Sequence, residues 1–450
     1  MTRRLPSLLL LAALAACGRS PEAPPAHREA RPATAAPLPP VEVGPEIAAF
    51  YAARRNRPLW IAGGRLRPGA ERAADVLAHA ADHGLDPARY DVPEVEAAMA
   101  AARTGDAQAL ARVELLLSRA VTAFVRDLRV PAANPLLQAE PGLAPVAPDP
   151  RALLNSLAGA PSVSDGVAAA VRMNPLYAAL QRGYARWRTR PHSAAEEALA
   201  RLNLDRARAI PAGAPRYVIV DLASARLWTI EGGRAGAPMR VVVGKPSMKT
   251  PLMAGRLTYA VLNPYWNMPP DLARERAKRV LKEGPRFLAA GGFQLLSDWG
   301  QHARPIPASA VHWRAVASGA EILRIRQLPG GTNVMGRIKF MMPNRLGIYL
   351  HDFPDKSLFA RQDRRLSSGC VRLEDAGRLA RWLFDGAPPS PDGAAPEQQA
   401  DLPAPVPVYL AYFTVLPGGP DGLDFRPDPY GLDRVQIAAG GEQNRKHRSG

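Results

Sequence analysis

At 450 residues the chain has room for two or three domains with ample core, and a hydrophobic content of 47% excludes wholesale disorder. Lysine and arginine exceed aspartate and glutamate by 58 − 41 = 17, which favours anionic partners: nucleic acid, anionic lipid headgroups or a carboxylate-rich peptidoglycan mesh. No nucleic-acid fold signature is present, and the 47 prolines point to several linkers.

Residues 1–17 read as a targeting segment. Arg3 and Arg4 form a basic start, and Leu8–Ala16 is apolar but too short to span a bilayer. The segment ends in Leu14-Ala15-Ala16-Cys17-Gly18, which resembles a bacterial lipoprotein processing box. That resemblance implies a lipidated Cys17 as mature N-terminus and a lipid membrane anchor. The expected location is then the periplasmic cell envelope, on the outer membrane because glycine rather than aspartate follows the cysteine. An ordinary secretory peptide cut nearby is the alternative. With Cys17 lipidated, Cys370 is the one free thiol of the mature chain and no disulfide can form. Residues 18–44, rich in proline and alanine, read as a tether.

From 45 to 204 the pattern is helical. Glu71–Ala81 reads as one helix, closed by His83-Gly84. Asp86-Pro87 starts a turn, and Pro93 suits the first position of the next helix. Leu110, Val113, Leu117, Val121, Phe124 and Leu128 recur at three- and four-residue steps, with Asp106 placed as N-cap. His79 and His83 read as helix-surface and helix-end residues. A further helical stretch spans Asn174–Leu204.

Beyond Tyr217 the period becomes two. Tyr217–Val220 and Arg226–Ile230 flank a turn at Ala223-Ser224 and predict a hairpin, and Met239–Val243 and Leu257–Leu262 continue the pattern. Between about 264 and 342 the periodicity weakens and charge rises, as in an insertion. Trp266, Trp299, His312 and Trp313 fall there, as packing residues or as the lining of a groove. Asp375–Phe384 predicts a helix, 387–405 a linker, Val406–Thr414 a strand opening a C-terminal extension to 440, and 441–450 a basic tail. The fold class expected is α+β and multidomain: a helical N-terminal domain followed by a β-rich domain at 214–386.

The chemistry concentrates between Ile348 and Arg372. Ile348-Tyr349-Leu350 reads as a buried strand ending at His351, and Val371-Arg372-Leu373 as a second strand starting at Cys370. Ser367-Ser368-Gly369 forms the small-residue turn that delivers the cysteine. A free thiol is only a few per cent thiolate at neutral pH. An adjacent imidazole would take its proton, giving a thiolate–imidazolium pair for acyl transfer. The bland alternative is a buried small hydrophobe and a strand-end histidine. No zinc motif, paired cysteines or phosphate-binding loop is present, so no cofactor or metal is expected.

His351-Asp352, a loop, and Ser367-Ser368-Gly369-Cys370-Val371-Arg372 together resemble the catalytic signature of the YkuD-type L,D-transpeptidases, which cross-link peptidoglycan. The large YcbB-like subfamily is the most similar. Its pattern also matches Arg240–Pro246 with Thr250-Pro251, Leu262–Pro269, and Arg337–Phe340 with Pro343-Asn344. Phe50–Arg54 with Pro58-Leu59-Trp60, and Gly84–Pro87 with Tyr90, resemble the subfamily's helical scaffold domain. The resemblance implies a capping insertion at about 264–342. It also implies Cys370 as nucleophile, His351 as base and then acid, and Gly369 and Cys370 N–H groups as oxyanion donors. Tyr349, Ser368 and Arg372 are candidates for contact with peptidoglycan stem peptides. Arg372 lies two residues on from Cys370, so it shares that side of the strand and could bind a stem carboxylate or make a surface ion pair. Where most of the family has histidine before Gly-Cys, this chain has Ser368. Resolution of the thioester by an amine would give a 3→3 cross-link, and by water an L,D-carboxypeptidase. A murein-peptide cysteine hydrolase and a non-catalytic envelope-binding lipoprotein are the competing classes. No separate glycan-binding module fits between the helical domain and Arg216.

Overall fold

The structure is a computed structural model, and it describes residues 41–438 apart from Ala133, Pro389, Asp392 and Ala394. The Cys17 processing box, most of the tether and the 441–450 tail lie outside the described residues.

Helices dominate to residue 208: α1 (Pro45–Ala53), α2 (Pro68–Ala78), α3 (Val92–Ala102), α4 (Ala107–Arg129), α5 (Pro150–Gly159), α6 (Val163–Ala170), α7 (Pro175–Trp187) and α8 (Ala194–Arg208). Their starts follow local chemistry. Asp106 accepts the Ala109 N–H at 2.7 Å, Ser193 and Glu196 form a reciprocal capping box, α1, α2, α5 and α7 open on proline, and α3 has Pro93 as its second residue. The apolar stripe of α4 is buried at the centre of this layer. One polar pair sits within it. Glu114 accepts Tyr51 Oη at 2.7 Å and Trp60 N at 3.0 Å, and Trp60 Nε1 donates to Ser118. A small hairpin of β1 (Ile61–Ala62) and β2 (Arg65–Leu66) follows α1, and β3 (Leu137–Gln138) reaches out to the sheet beyond.

That sheet contains β4 (Arg216–Asp221), β5 (Arg226–Glu231), β6 (Arg234–Ala235), β7 (Met239–Gly244) and β8 (Met253–Leu262). An insertion follows: β9 (Trp266–Asn267), α9 (Pro270–Glu283), α10 (Arg286–Ala290), β10 (Phe293–Leu296), β11 (Pro305–Ile306), α11 (Trp313–Ser318) and β12 (Arg324–Gln327). The sheet resumes with β13 (Ile338–Met341), β14 (Leu350–His351), β15 (Arg365–Ser367) and β16 (Val371–Leu373). Helix α12 (Ala376–Leu383), β17 (Gln398–Ala411), β18 (Val415–Pro417) and β19 (Leu423–Phe425) complete the chain. The pairing path β7-β16-β14-β13-β8-β17-β4-β5 closes on itself, because β5 pairs back onto β7 at Arg226↔Arg240 and Leu227↔Met239. Closure gives each of these eight strands a partner on both sides and encloses Val218, Val220, Val243, Leu350, Val371 and Leu410. The alternate residues of β4 and β17, among them Tyr217, Ile219 and Tyr409, join the helical core instead. Both faces of β4 are therefore covered, which is why its sequence is a near-continuous apolar run.

The insertion builds its own sheet, β11-β10-β12-β9, over a separate core that includes Met268, Ala273, Leu295, Val316 and Ile325. Trp266 and Trp313 pack against that core, whereas Trp299 and His312 face solvent. Within the expected linker the structure differs. Strand β17 begins at Gln398, and Gln398–Asp401 pairs with Leu262–Tyr259 of β8. Pro403 and Pro405 follow within β17, where the pairing is irregular between Asp401 and Val406, so this half of the strand lacks the alternation that marks a strand in sequence. The C-terminal extension is likewise integral. Strand β17 lies between β8 and β4 in the closed sheet.

Candidate active site

Strands β14 and β16 are parallel neighbours, with Leu350 opposite Val371 and His351 opposite Arg372. Leu350 and Val371 point into the closed sheet and are fully buried. Side chains alternate across a strand, so Tyr349, His351, Cys370 and Arg372 all share the opposite face. Four of the residues singled out by sequence are thereby brought together on two adjacent strand ends.

His351 is buried, and its Nδ1 lies 2.6 Å from the Asp352 carbonyl oxygen. A carbonyl only accepts, so Nδ1 carries the hydrogen and Nε2 keeps the lone pair. Burial, and then the Arg372 charge, push the imidazole down to about 3, so it is neutral at pH 7 and ready to take a proton. Asp352 is fixed in turn. Its carboxylate accepts from Lys356 Nζ at 2.7 Å and from the Arg337 N–H at 3.0 Å, and its own N–H donates to Ile338 O at 2.9 Å. Gly336 makes room for it, since a Cβ there would lie 2.2 Å from Asp352 Oδ2.

Cys370 is partly buried, with its Sγ 3.7 Å from the Gly347 carbonyl oxygen. Burial pushes the thiol up, against the opposing pull of hydrogen bonds from Tyr349 and the positive charge of Arg372. In each side chain burial thus disfavours the charged form that a resting thiolate–imidazolium pair would need. The cause is desolvation, which penalises both charged forms. The Tyr349 phenol is held well above the usual range by burial and then by the neighbouring Cys370 charge. The Arg372 guanidinium stacks over Phe353 at 4.2 Å and makes no salt bridge among the described residues.

The turn before the cysteine corrects one expectation. The Gly369 N–H donates to Ser367 Oγ at 3.1 Å, so it is not a free oxyanion donor. The Cys370 N–H has no partner among the described residues and is the donor left at this position. Gly369 has φ +121°, a conformation that requires glycine. Ser368 is exposed on the outside of the turn.

Three residues without a sequence-assigned role hold this geometry. Buried Ser367 donates to the Cys370 carbonyl at 2.6 Å while accepting from Gly369. Thr250 Oγ1 accepts the Gly244 N–H at 2.8 Å and donates to the Gly369 carbonyl at 2.7 Å, tying the end of β7 to the turn. Asn344 Nδ2 donates to Ile348 O at 2.7 Å and Oδ1 accepts from Ile348 N at 3.1 Å, closing the loop that presents Gly347 O to the thiol. Each is a small polar residue near a glycine turn, a weak signal without knowledge of which turns meet. Among the described residues no cluster of histidine, cysteine and carboxylate side chains suits a metal ion.

Residues 215–391 match the family profile described as the L,D-transpeptidase catalytic domain, YkuD, and residues 45–183 match a Scaffold domain. A Haemophilus influenzae protein described as a “Putative L,D-transpeptidase” is 32% identical over 239 residues, covering 52% of this chain and 47% of the relative. The chain thus spans about half the length of that curated relative. Among solved structures, an L,D-transpeptidase from Mycobacterium smegmatis aligns over 44% of this chain and 59% of its own, at 13% identity and a TM-score of 0.21. The L,D-transpeptidase LdtMt1 in complex with imipenem aligns with the same coverage and identity, at a TM-score of 0.22.

Proposed function

We propose, from the premise that this chain belongs through residues 215–391 to the YkuD-type L,D-transpeptidases, that it forms 3→3 cross-links in peptidoglycan by a thioester mechanism. The observation that carries this reading is the parallel pairing of β14 and β16, which sets the basic Nε2 side of His351 and the Cys370 thiol on one face. As the stem tetrapeptide binds, His351 Nε2 takes the thiol proton while Sγ attacks the carbonyl of the third residue. The Cys370 N–H stabilises the oxyanion. The carbon–nitrogen bond to the terminal D-alanine breaks, and the imidazolium returns its proton to the departing amine. The amine of a second stem then attacks the thioester, gives up a proton to His351 and releases the thiol. Arg372 offers a guanidinium without a carboxylate partner among the described residues, suited to a stem carboxylate. Water in place of the amine would make the same site an L,D-carboxypeptidase. No cofactor enters any step. Lipid anchoring through Cys17 at the periplasmic face of the outer membrane completes the proposal.

Intact mass after incubation with a carbapenem tests it. The expected result is one covalent adduct on the wild-type chain and none on Cys370→Ala. Absence of an adduct on wild type, with a stem tetrapeptide also left whole, overturns the reading and favours a non-catalytic envelope-binding lipoprotein.

A further inference from the structure

An open groove of about 910 Å³ lies away from the thiol, where helix α7, the β4–β5 turn, the approach to β15, strand β18 and the segment after β19 meet. Its volume is at the upper end for small-molecule sites. Arg226, Arg364, Arg365 and Arg426 line it together with Trp228, and no carboxylate does.

The arginines differ in what they already hold. Arg364 is buried and spends its donors on the backbone: Val241 O at 3.2 Å, Arg361 O at 2.9 Å, Ser224 O at 2.9 Å and Ala225 O at 3.1 Å. Its charge has no carboxylate in that set. Burial and then the neighbouring charges of Arg226 and Arg240 hold it below the usual arginine range. Arg365 and Arg426 have local partners, Asp363 at 3.1 Å and Asp424 at 2.8 Å, with Asp363 largely exposed and weakly binding. Arg226 is exposed and makes no salt bridge among the described residues. Like charges gathered around a concave wall cost free energy in the empty protein and favour an anion that fills it. Trp228 is half-buried, which leaves part of its indole as an apolar surface beside those charges.

The groove is also coupled to the thiol by the chain itself. Arg365 opens β15 and Cys370 is five residues further on, a span of at most about 18 Å even when fully extended. A polymer segment seated in the groove therefore has its neighbouring peptides within reach of Cys370.

We infer that this groove is a second binding site, for a sugar–peptide segment of peptidoglycan, with a pyranose face against Trp228 and peptide carboxylates on Arg226 and its neighbours. The inference rests on the proposed function for the choice of polymer.

The test uses the full chain carrying Cys370→Ala, so that binding is read without turnover. Disaccharide–tetrapeptide is titrated and followed by calorimetry, beside the free tetrapeptide. Arg226→Glu is compared with Arg151→Glu, an exposed helix position given the same charge change, after thermal melts show both to be folded. The expected result is binding of the disaccharide–tetrapeptide at least tenfold tighter than the free peptide, weakened at least tenfold by Arg226→Glu and unchanged by Arg151→Glu. Equal weakening by both variants, no weakening by either, or equal affinity for sugar-bearing and sugar-free peptides overturns the inference. So does Arg226-dependent binding of phosphatidylglycerol vesicles that exceeds binding of the glycopeptide. Carbapenem adduct formation on the wild-type chain is read separately. A missing adduct with intact glycopeptide binding sinks the transpeptidase reading alone, and an adduct without such binding sinks the groove alone.

Discussion

The protonation states of two side chains decide how this site works. An imidazole held near 3 is already a free base throughout the range where bacteria grow, so no acid limb from His351 falls between pH 5 and 8. Carbapenem acylation should accordingly hold its rate as pH falls from 8 to 5. Iodoacetamide, which needs preformed thiolate, should react slowly at pH 6 and speed up only as the solution turns alkaline, because burial raises the Cys370 thiol. His351→Ala should cut acylation by about 10²–10⁴-fold while leaving the alkaline iodoacetamide reaction in place. Stopped-flow acylation and mass-resolved alkylation across pH measure the two. A steep fall in acylation between pH 7 and 6 would show instead that the histidine titrates normally. Rapid alkylation at pH 6 would show an ion pair at rest.

At the scale of elements, the site depends on how β7 and the turn before β16 are joined. Thr250 bridges them with two hydrogen bonds in a buried setting. Thr250→Val keeps the shape but leaves the Gly244 N–H and the Gly369 carbonyl without that partner. The expected cost is about 2–4 kcal/mol of stability together with a slower carbapenem reaction. Thr250→Ser, which keeps the hydroxyl, should restore most of both in urea unfolding and acylation assays. If valine proves as stable and as fast as threonine, the bridge does not hold the turn. This bridge also marks the boundary of what the sequence makes legible. His351, Cys370 and the glycine turn stand out because their chemistry is local and their strands alternate. The α4 stripe and the Asp106 cap stand out for the same reason. Thr250 is 120 residues from Cys370 in sequence, so its role appears only once the closed sheet has brought β7 beside β16. The raised thiol was illegible for a related reason, since desolvation depends on what covers a residue rather than on its neighbours in the chain. The second half of β17 is legible in the apolar run from Val406, whereas its first half, placed in the expected linker, is proline-rich and exposed and is held by pairing with β8 rather than by an apolar face.

Across the whole molecule the helical layer and the C-terminal segment are locked onto the closed sheet, and two glycines set how closely they approach. Asn203 and Arg206 of α8 hold buried Thr414: Thr414 N donates to Asn203 Oδ1 at 2.9 Å, and Arg206 pairs with Asp433 at 2.8 Å. Beside this, α7 meets the β18–β19 hairpin at Gly183 and Gly422. A Cβ on Gly183 would lie 2.2 Å from the Gly422 carbonyl oxygen and 3.1 Å from Leu423 Cδ2. Two effects then oppose each other in Gly183→Ala. Helix propensity alone favours alanine by about 0.8–1 kcal/mol. Against it stands a collision with backbone, which cannot swing aside as a flexible side chain can, and overpacking of this kind costs about 1–3 kcal/mol. The collision should win, so Gly183→Ala lowers the unfolding midpoint. Gly159→Ala near the end of α5, where a Cβ meets nothing within 4 Å, should raise the midpoint or leave it unchanged. Thermal unfolding of the two variants beside wild type decides the matter, because propensity by itself moves both in the same direction. A stabilised Gly183→Ala would mean that α7 and the hairpin can separate at little cost. It would also weaken the case that the groove between them keeps one shape.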